Sequence, residues 1–244
     1  MKADPIRETL LQVMDRKNHW AWPYFAEGKV PLPRLLVHFQ QEWAVYVRDF
    51  PIFLARILGH GPPDSVRSAL ASNLYEEQTG GISGTSAHPE MFMKMMEGCG
   101  FDRNAFDDVA LLPAAKRYRD FLDQVSWKPP WLVGAAVLTL FVEGSARERE
   151  ELESSPSDIT PEQLEEAVAN HPLVRFHEVD PSSMDLVRAH QLVEGGHRRD
   201  AWQMILEHHS GETDGQVFDA MEKALACWLA YRDEVAEACG LSRG

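Results

Sequence analysis

The stretch 184-MDLVRAHQLVEGGHRRDAWQMILE-207 places His190, Glu194 and His197 at successive spacings of four and three residues. At about 3.6 residues per turn, these side chains lie on one stripe of a helix, each about one turn beyond the last. Two imidazoles and a carboxylate are ligands that iron, manganese or zinc accepts. The alternative is a solvated polar helix face, because a chain with 10 His contains such clusters by chance. The metal interpretation therefore requires carboxylates from other helices.

The balance of charge restricts the class of partner. The 244-residue chain carries 24 Lys and Arg against 38 Asp and Glu, a formal net charge of −14. An acidic surface repels nucleic acid and anionic membranes, so neither is expected as a partner. Bound cations would neutralise some of these carboxylates.

Cysteine usage and apolar runs indicate the compartment. The three cysteines, Cys99, Cys227 and Cys239, are an odd number without paired spacing and are typical of reduced thiols. Residues 1–11 contain no uninterrupted apolar core of a signal peptide. The longest apolar run, residues 131–142, is far shorter than the roughly 20 residues that span a bilayer. These features predict a cytoplasmic protein.

Helical periodicity dominates the chain, and the alternating patterns of β-hairpins are missing. Residues 34–58 are predicted to form one long amphipathic helix, kinked at Pro51. A strongly apolar helix is expected over residues 131–151. Residues 154–179 are expected to form a loop and a short helix. With seven or eight helices and short connections, the pattern predicts one all-α bundle domain over residues 1–244.

Two further helices carry carboxylates that could meet the triplet. Glu143 ends an apolar run, and because a buried carboxylate is costly without a partner, we expect it to be a ligand or a paired group. Its alternative is a helix end that reaches water. Glu76 and Glu77 lie on an earlier predicted helix, and the stripe that contains Glu77 is more apolar than the stripe that contains Glu76. Glu77 is therefore favoured as the inward residue, and a solvated helix face is the alternative for both. His88 stands before Pro89 at a helix start, where a capping or surface role is also common.

Together these residues offer three carboxylates and three imidazoles to a helical bundle. Two metal ions held by Glu and His from facing helices are a known arrangement in such bundles. The ferritin-like pattern requires two Glu-x-x-His repeats, which this chain lacks, so a different bundle is implied. The proposed ligands are Glu77, His88, Glu143, His190, Glu194 and His197, with Glu76 as the alternative to Glu77.

The order of these residues resembles the haem-oxygenase-like diiron oxidases and oxygenases. In that family a Glu and a His are separated by a glycine-rich turn, as Glu77 and His88 are here, and a second Glu and a His-x-x-x-Asp/Glu-x-x-His motif follow. The resemblance covers residues 18–209 and includes the aromatic helix with Trp43. It implies a seven-helix fold shared with haem oxygenase, thiaminase-II-like proteins and pyrroloquinoline-quinone synthase.

The resemblance also implies an activity. Two Fe(II) ions, or a manganese–iron pair, would activate O2 with electrons from an external donor. The substrate would be a small, amino-acid-derived molecule, N-oxygenated or cleaved at a C–C bond in bacterial natural-product biosynthesis. Helix phase places Trp43, Tyr46 and Thr139 as candidate substrate-pocket residues. A homodimer is compatible with the sequence.

The chain departs from the family pattern at several positions. Glu194 stands where Asp is more common, and the interval from Glu77 to His88 is slightly long, which keeps Glu76 as an alternative. At Tyr24 the chain resembles the subgroup whose members make p-aminobenzoate from their own side chains. However, Glu153 stands where that subgroup has a lysine. The competing hypotheses are a metal-free thiaminase-like or pyrroloquinoline-quinone-synthase-like enzyme and a non-catalytic bundle that binds metal or a partner.

Overall fold

The computed structural model describes residues 5–153 and 159–243, and all regular secondary structure in these residues is helical. The prediction of an all-α fold is therefore confirmed, but the described residues form 13 α-helices instead of seven or eight, because π-helices and turns divide the predicted helices and several α-helices are short. None of the described helices is both long and apolar enough to cross a membrane. The α-helices are α1 (Pro5–Asp15), α2 (Trp22–Ala26), α3 (Leu32–Glu42), α4 (Phe50–Gly59), α5 (Asp64–Thr79), α6 (His88–Gly98), α7 (Pro113–Trp127), α8 (Trp131–Ala135), α9 (Glu148–Glu153), α10 (Pro161–Asn170), α11 (Pro172–His177), α12 (Asp185–His208) and α13 (Asp214–Ala238).

Two π-helices interrupt the long helices that the sequence predicts. The first π-helix, Trp43–Val47, follows α3, and the second, Ala136–Val142, follows α8. Short π segments occur often at functional sites because they shift the phase of the side chains that follow. In this fold, residues of both π-helices face the same cavity.

The predicted helix over residues 34–58 is two α-helices joined through the first π-helix. Pro51 lies in the first turn of α4, where its missing N–H group costs no hydrogen bond. The expected kink is thus a break and a restart. Phe53, Leu54 and Ile57 of α4 are fully buried, so the apolar stripe still faces the core as expected.

The prediction of one continuous helix over residues 131–151 was wrong for the residues that follow the second π-helix. The chain leaves the helix after Glu143, turns at Gly144 and begins again at Glu148. A Cβ atom at Gly144 would lie 2.3 Å from the carbonyl oxygen of Leu140 and 2.7 Å from Cε of Met14, so only glycine fits this turn. The apolar periodicity of the run does not reveal such a close approach.

The segment after α9 contains the short helix that the sequence predicts. A capping box begins α10: Thr160 Oγ1 accepts from the N–H of Gln163, and Gln163 Oε1 accepts from the N–H of Thr160. Arg188 of α12 pairs with Glu165 of α10 at 2.8 Å. The predicted loop over residues 154–158 lies outside the described residues.

Candidate metal centre

Residues from four parts of the fold line one cavity of about 180 Å³. Glu77 comes from the last turn of α5, His88 from the start of α6, and Glu143 from the end of the second π-helix, while α12 supplies His190 and His197. The helix α12 packs against α5, α6 and the second π-helix. Five of the six side chains chosen from the sequence therefore meet in one place.

The sixth, Glu194, lies within α12, but its side chain is outside the described part of the structure. Its backbone position, one turn after His190 and one turn before His197, is the position that the sequence predicts.

The distances within the cluster suit shared metal ligation. Ligand atoms of Glu77, Glu143 and His197 all lie within 4.8 Å of one another. His88 Nδ1 is 2.9 Å from Glu77 Oε1, and the rings of His88 and His190 are 5.2 Å apart. Two donor atoms at a right angle, each about 2.1 Å from one ion, would lie about 3.0 Å apart. The separation of the His88 and Glu77 donors therefore fits two ligands of one ion.

The imidazole of His88 has the environment of a metal ligand. Its Nε2 faces Glu76 Oε1 at 3.2 Å, while its buried Nδ1 makes no well-directed hydrogen bond despite the short distance to Glu77. Ligand histidines usually bind the metal through one nitrogen and a carboxylate through the other. This arrangement leaves Nδ1 as the atom that would face a bound metal ion.

Glu76, the alternative to Glu77, is turned towards the loop after α5. Its Oε2 accepts from the main-chain N–H groups of Ile82 and Ser83, and its Oε1 accepts from the hydroxyl of Ser83. The apolar stripe favoured Glu77 alone as the inward residue. In the structure both carboxylates are buried, Glu76 fully and Glu77 almost fully. The structure thus places Glu77 in the cavity and Glu76 behind His88.

Hydrogen bonds keep the buried Glu76 ionised. Burial alone would raise the pKa of its carboxyl group, but the hydrogen bonds from Ser83, Ile82 and His88 outweigh burial and lower it. The charged carboxylate therefore anchors both the loop and the His88 ring.

Gly80 makes the return from α5 to His88 sterically feasible. It ends α5 in a left-handed conformation with φ of 65°, and a Cβ atom there would lie 2.4 Å from the carbonyl oxygen of Ser86. Only glycine tolerates both the conformation and the contact. This turn sets the interval between Glu77 and His88 that the sequence shows.

Two neighbours fix the position of Glu143. Asn73 Nδ2 donates to Glu143 Oε1 at 2.9 Å. The ammonium of Lys17 donates to the main-chain carbonyl oxygens of Phe141 and Gly144, both at 2.5 Å, and of Val142 at 3.2 Å. The side chain and the backbone around this carboxylate are therefore both held from outside the helix that carries it.

Two of the imidazoles that line the cavity, those of His197 and His88, differ in the direction of their pKa shifts. Burial lowers the pKa of His197, which favours the neutral form that binds metal. Burial would lower the pKa of His88 as well, but the close contact with the Glu77 carboxylate and the hydrogen bond to Glu76 outweigh burial and raise the pKa. In its protonated form, His88 carries a hydrogen on Nδ1 next to Glu77. A metal ion bound beside Glu77 would replace this hydrogen.

A buried carboxylate joins the turn after Glu143 to α12. Glu148 Oε1 accepts from the indole N–H of Trp202 at 2.8 Å, and its Oε2 lies 3.1 Å from Arg198 Nε. Arg198 lines the cavity next to His197. These contacts connect the turn that follows Glu143 to the helix that carries His190 and His197.

The residues predicted for the substrate pocket fall in two places. Thr139 and Tyr46 line the cavity that contains the candidate metal ligands, which is called the metal cavity from here on. Trp43 does not: its ring stacks on Phe92 at 5.6 Å, and its indole N–H donates to the carbonyl oxygen of Phe106 at 3.0 Å. The π-helix that carries both Trp43 and Tyr46 shifts their phase, so they do not share one face as a regular helix would allow.

Sequence reasoning missed four residues that support the cluster: Lys17, Asn73, Glu76 in its supporting role, and Glu148. Asn73 lies one turn before Glu77, and this spacing was the only available signal. Lys17 and Glu148 act from other parts of the chain, so no local pattern connects them with the site.

The fold and the cluster together define an all-α bundle in which buried and partly buried carboxylates and imidazoles could hold metal ions. The family described as iron-containing redox enzymes matches residues 37–232, and the chain belongs to this family. No curated protein matches the chain significantly in sequence.

Solved structures confirm the predicted haem-oxygenase-like fold. A TenA homologue from Pseudomonas syringae pv. tomato is similar over 96% of this chain and 91% of its own, with a TM-score of 0.68 and 15% identity. A domain of unknown function with a haem-oxygenase-like fold from Shewanella denitrificans matches over 96% and 89%, with a TM-score of 0.65 and 16% identity. At these identities the likeness concerns the fold alone.

Proposed function

We propose that this protein is a non-haem diiron oxidase or oxygenase that acts on an amino-acid-derived small molecule. The observation that carries the proposal is the convergence of Glu77, His88, Glu143, His190 and His197 on one cavity. Membership of the iron-containing redox family supports iron as the metal. Bound ferrous ions would supply the binding and reduction of O2, with further electrons from an external donor.

The number of donors favours two ions over one. The two described carboxylates and three imidazoles offer seven donor atoms, and Glu194 would add two more. One octahedral ion accepts six donors and would leave no open position for O2. A pair of ions uses the whole set and keeps positions free for substrate and oxygen.

The protein's own groups would prepare the site for this chemistry. Asn73 and Lys17 hold Glu143 in place, and Glu76 holds His88 with Nδ1 towards the cavity. Apolar side chains line much of the remaining wall and restrict water there: Val47, Phe50, Val142, Leu186 and Val193. A dry, preorganised cavity protects reactive oxygen species from side reactions with solvent.

The cysteines do not support a thiol-based hydrolase on the same fold. Burial raises the pKa of Cys99 and of Cys239 to about 11, and it also raises that of Cys227, so these thiols are protonated at neutral pH. None of the three lines the metal cavity. The structural likeness to a TenA homologue therefore concerns the bundle, and none of the three cysteine thiols lies in this cavity.

The proposal is tested by anaerobic loading with Fe(II), measurement of bound iron, and O2 uptake with a panel of amino acids and their derivatives. We expect two iron ions per chain and substrate-dependent O2 consumption. His190→Ala and His197→Ala should each abolish binding of the second ion and all O2 uptake, yet remain helical by circular dichroism.

His177→Ala is the matched control, because His177 ends α11 and does not line the cavity. It should retain wild-type iron content and O2 uptake. Turnover retained by either cavity variant would refute the assignment of the ligands.

A further inference from the structure

A second and larger opening adjoins the metal cavity. This aromatic cleft has a volume of about 630 Å³ and shares Tyr46, Val142 and Gly144 with the wall of the metal cavity. The lining of the cleft includes Lys17, Trp22, Tyr46, Arg147, Trp228 and Arg232.

The two volumes assign different contents to the two spaces. Pockets that enclose an organic ligand usually measure about 300–1,000 Å³. The metal cavity, at about 180 Å³, is below that range, whereas the cleft, at about 630 Å³, is within it. The metal cavity therefore suits ions, O2 and the reacting end of a substrate, whereas the cleft has the volume for the body of the substrate.

The charge of the cleft is opposite to that of the protein. In a chain with a net charge of −14, its described lining includes the cations Lys17, Arg147 and Arg232 and one carboxylate, Asp15. Three of these lining groups also pair with residues outside the lining: Asp15 with Arg149 at 2.9 Å, Arg147 with Glu150 at 3.1 Å, and Arg232 with Glu42 at 2.7 Å. Such local reversal of charge attracts an anionic ligand.

Arg232 retains hydrogen-bond donors for such an anion. A guanidinium has five N–H groups. Nη2 donates to Glu42 at 2.7 Å and to Tyr46 at 3.2 Å, and Nη1 faces His38 Nδ1 at 3.5 Å. Nε has no acceptor, although only 6% of the residue is exposed. A buried guanidinium on a cleft wall with a donor left over indicates an acceptor supplied by a ligand.

Two indole rings provide an apolar surface beside this cation. The rings of Trp22 and Trp228 are 6.0 Å apart, and the guanidinium of Arg232 lies 4.7 Å from the centre of the Trp22 ring. Aromatic rings of this kind pack against flat or apolar groups at little entropic cost. The cleft thus combines an anion site with an apolar surface.

We infer that the aromatic cleft binds the substrate as a carboxylate with an apolar or aromatic body. Arg232 receives the carboxylate, Trp22 and Trp228 hold the body, and the reacting end passes Tyr46 and Val142 into the metal cavity. This inference rests on the proposed function, because it places the substrate of that reaction.

Binding can be measured on the metal-free protein, which separates this inference from the iron chemistry. The probes are 3-phenylpropanoate and its neutral isostere 3-phenylpropanamide, titrated by calorimetry. We expect the carboxylate to bind with a stoichiometry of one and at least about tenfold more tightly than the amide, as a hydrogen bond to a charged group implies. With 5-fluorotryptophan incorporated, the ¹⁹F signals of Trp22 and Trp228 should shift on binding, while that of the exposed Trp127 should not.

Two variants test the role of the cations. Arg232→Lys keeps the charge but removes the Nε donor, and it should weaken 3-phenylpropanoate binding about tenfold. Arg147→Gln changes an exposed side chain at the cleft. It provides a second test of the cations if Arg232→Lys does not fold. It should weaken binding severalfold, with Arg175→Gln, an exposed arginine outside the cleft, as the unaffected control.

Equal affinity for the acid and the amide, or binding unchanged in both cleft variants, would overturn the inference. Iron bound at two per chain without carboxylate binding would refute the cleft assignment alone. Carboxylate binding without any iron uptake would refute the proposed function instead.

Discussion

The ammonium of Lys17, near the N-terminus, donates a 2.5 Å hydrogen bond to the main-chain carbonyl oxygen of Gly144. Because Gly144 directly follows Glu143, a residue that is distant in sequence fixes the end of the helix that carries a proposed iron ligand. Lys17 is 8% exposed, and its ammonium also lies 4.9 Å from the centre of the Phe141 ring. The contact connects the stability of the fold with the geometry of the site.

Lys17→Met should reduce both stability and metal binding. It leaves the carbonyl groups at the end of the second π-helix without their donor, which should cost about 3 kcal/mol of the free energy of unfolding. Urea denaturation measures this loss, and iron content should fall below that of the wild type. Lys29→Met, which changes an exposed lysine paired with Glu27, is the control and should have almost no effect on either quantity. Full iron content in Lys17→Met would contradict a positioning role for Lys17.

Glu76→Gln should loosen the His88 ring without removing a cavity ligand. The carboxylate holds Ile82, Ser83 and His88, and loss of such an outer partner typically lowers metal affinity by about 10- to 100-fold. Competition with a ferrous chelator measures this affinity. Glu97→Gln, on the exposed side of α6, should leave it unchanged.

The same variant gives a prediction for pH. The folded-state pKa of Glu76 is lowered, so its ionised form stabilises the protein above the unfolded pKa of about 4.5, and this stabilisation disappears as the pH falls through the folded-state value. The wild type should therefore exceed Glu76→Gln in stability at pH 7, and the difference should shrink as the pH decreases below about 4.5. Thermal unfolding of both metal-free proteins from pH 7 to pH 3 measures the difference. A difference that grows as the pH falls would exclude this role of Glu76.

Glu42→Gln should destabilise the protein because it removes the charge partner of buried Arg232. Breaking a buried ion pair from one side typically costs about 3–5 kcal/mol. The pKa of Glu42 falls to about 2, because the charges of His38 and Arg232 outweigh the effect of burial, so the wild type keeps this pair down to low pH. Glu42→Gln combined with Arg232→Met should recover most of the loss in urea denaturation, since no unpaired charge remains. If the double variant were less stable than Glu42→Gln, an unpaired guanidinium would not be the cause.

Two glycines near the site should respond to alanine in opposite ways. Gly196 lies inside α12 with nothing within 4 Å of an added Cβ atom, so Gly196→Ala should stabilise the metal-free protein by about 0.5–1 kcal/mol. Gly144→Ala would place a Cβ atom 2.3 Å from the carbonyl oxygen of Leu140 and should destabilise the protein. Calorimetric melting of the two variants side by side tests the assignment. Stabilisation by Gly144→Ala would contradict the close packing of that turn.

The sequence predicted those parts of the site that depend on local helical spacing. His190 and His197 share a helix face because of their interval, and the apolar run before Glu143 correctly indicated an inward position. Trp43 was placed in the pocket because a regular helix was assumed, and the π-helix altered its phase. The end of the helix after Glu143 depends on Lys17, which only the folded chain brings there, so no local pattern predicts it.

Helix periodicity indicated the inward position of Glu77, but it does not explain why the adjacent Glu76 is buried as well. Glu76 is stabilised by N–H groups of the following loop, and Glu77 Oε1 lies 2.9 Å from His88 Nδ1. Tertiary hydrogen bonds, which form only when the loop folds back at Gly80, permit two adjacent carboxylates to avoid solvent.

The most direct test of the account is anomalous X-ray scattering at the iron edge from crystals loaded anaerobically with Fe(II). The account predicts two anomalous peaks in the cavity between α12 and the second π-helix, each within about 2.3 Å of nitrogen or oxygen atoms of the proposed ligands. A single peak, or iron bound only outside this cavity, would contradict the diiron centre.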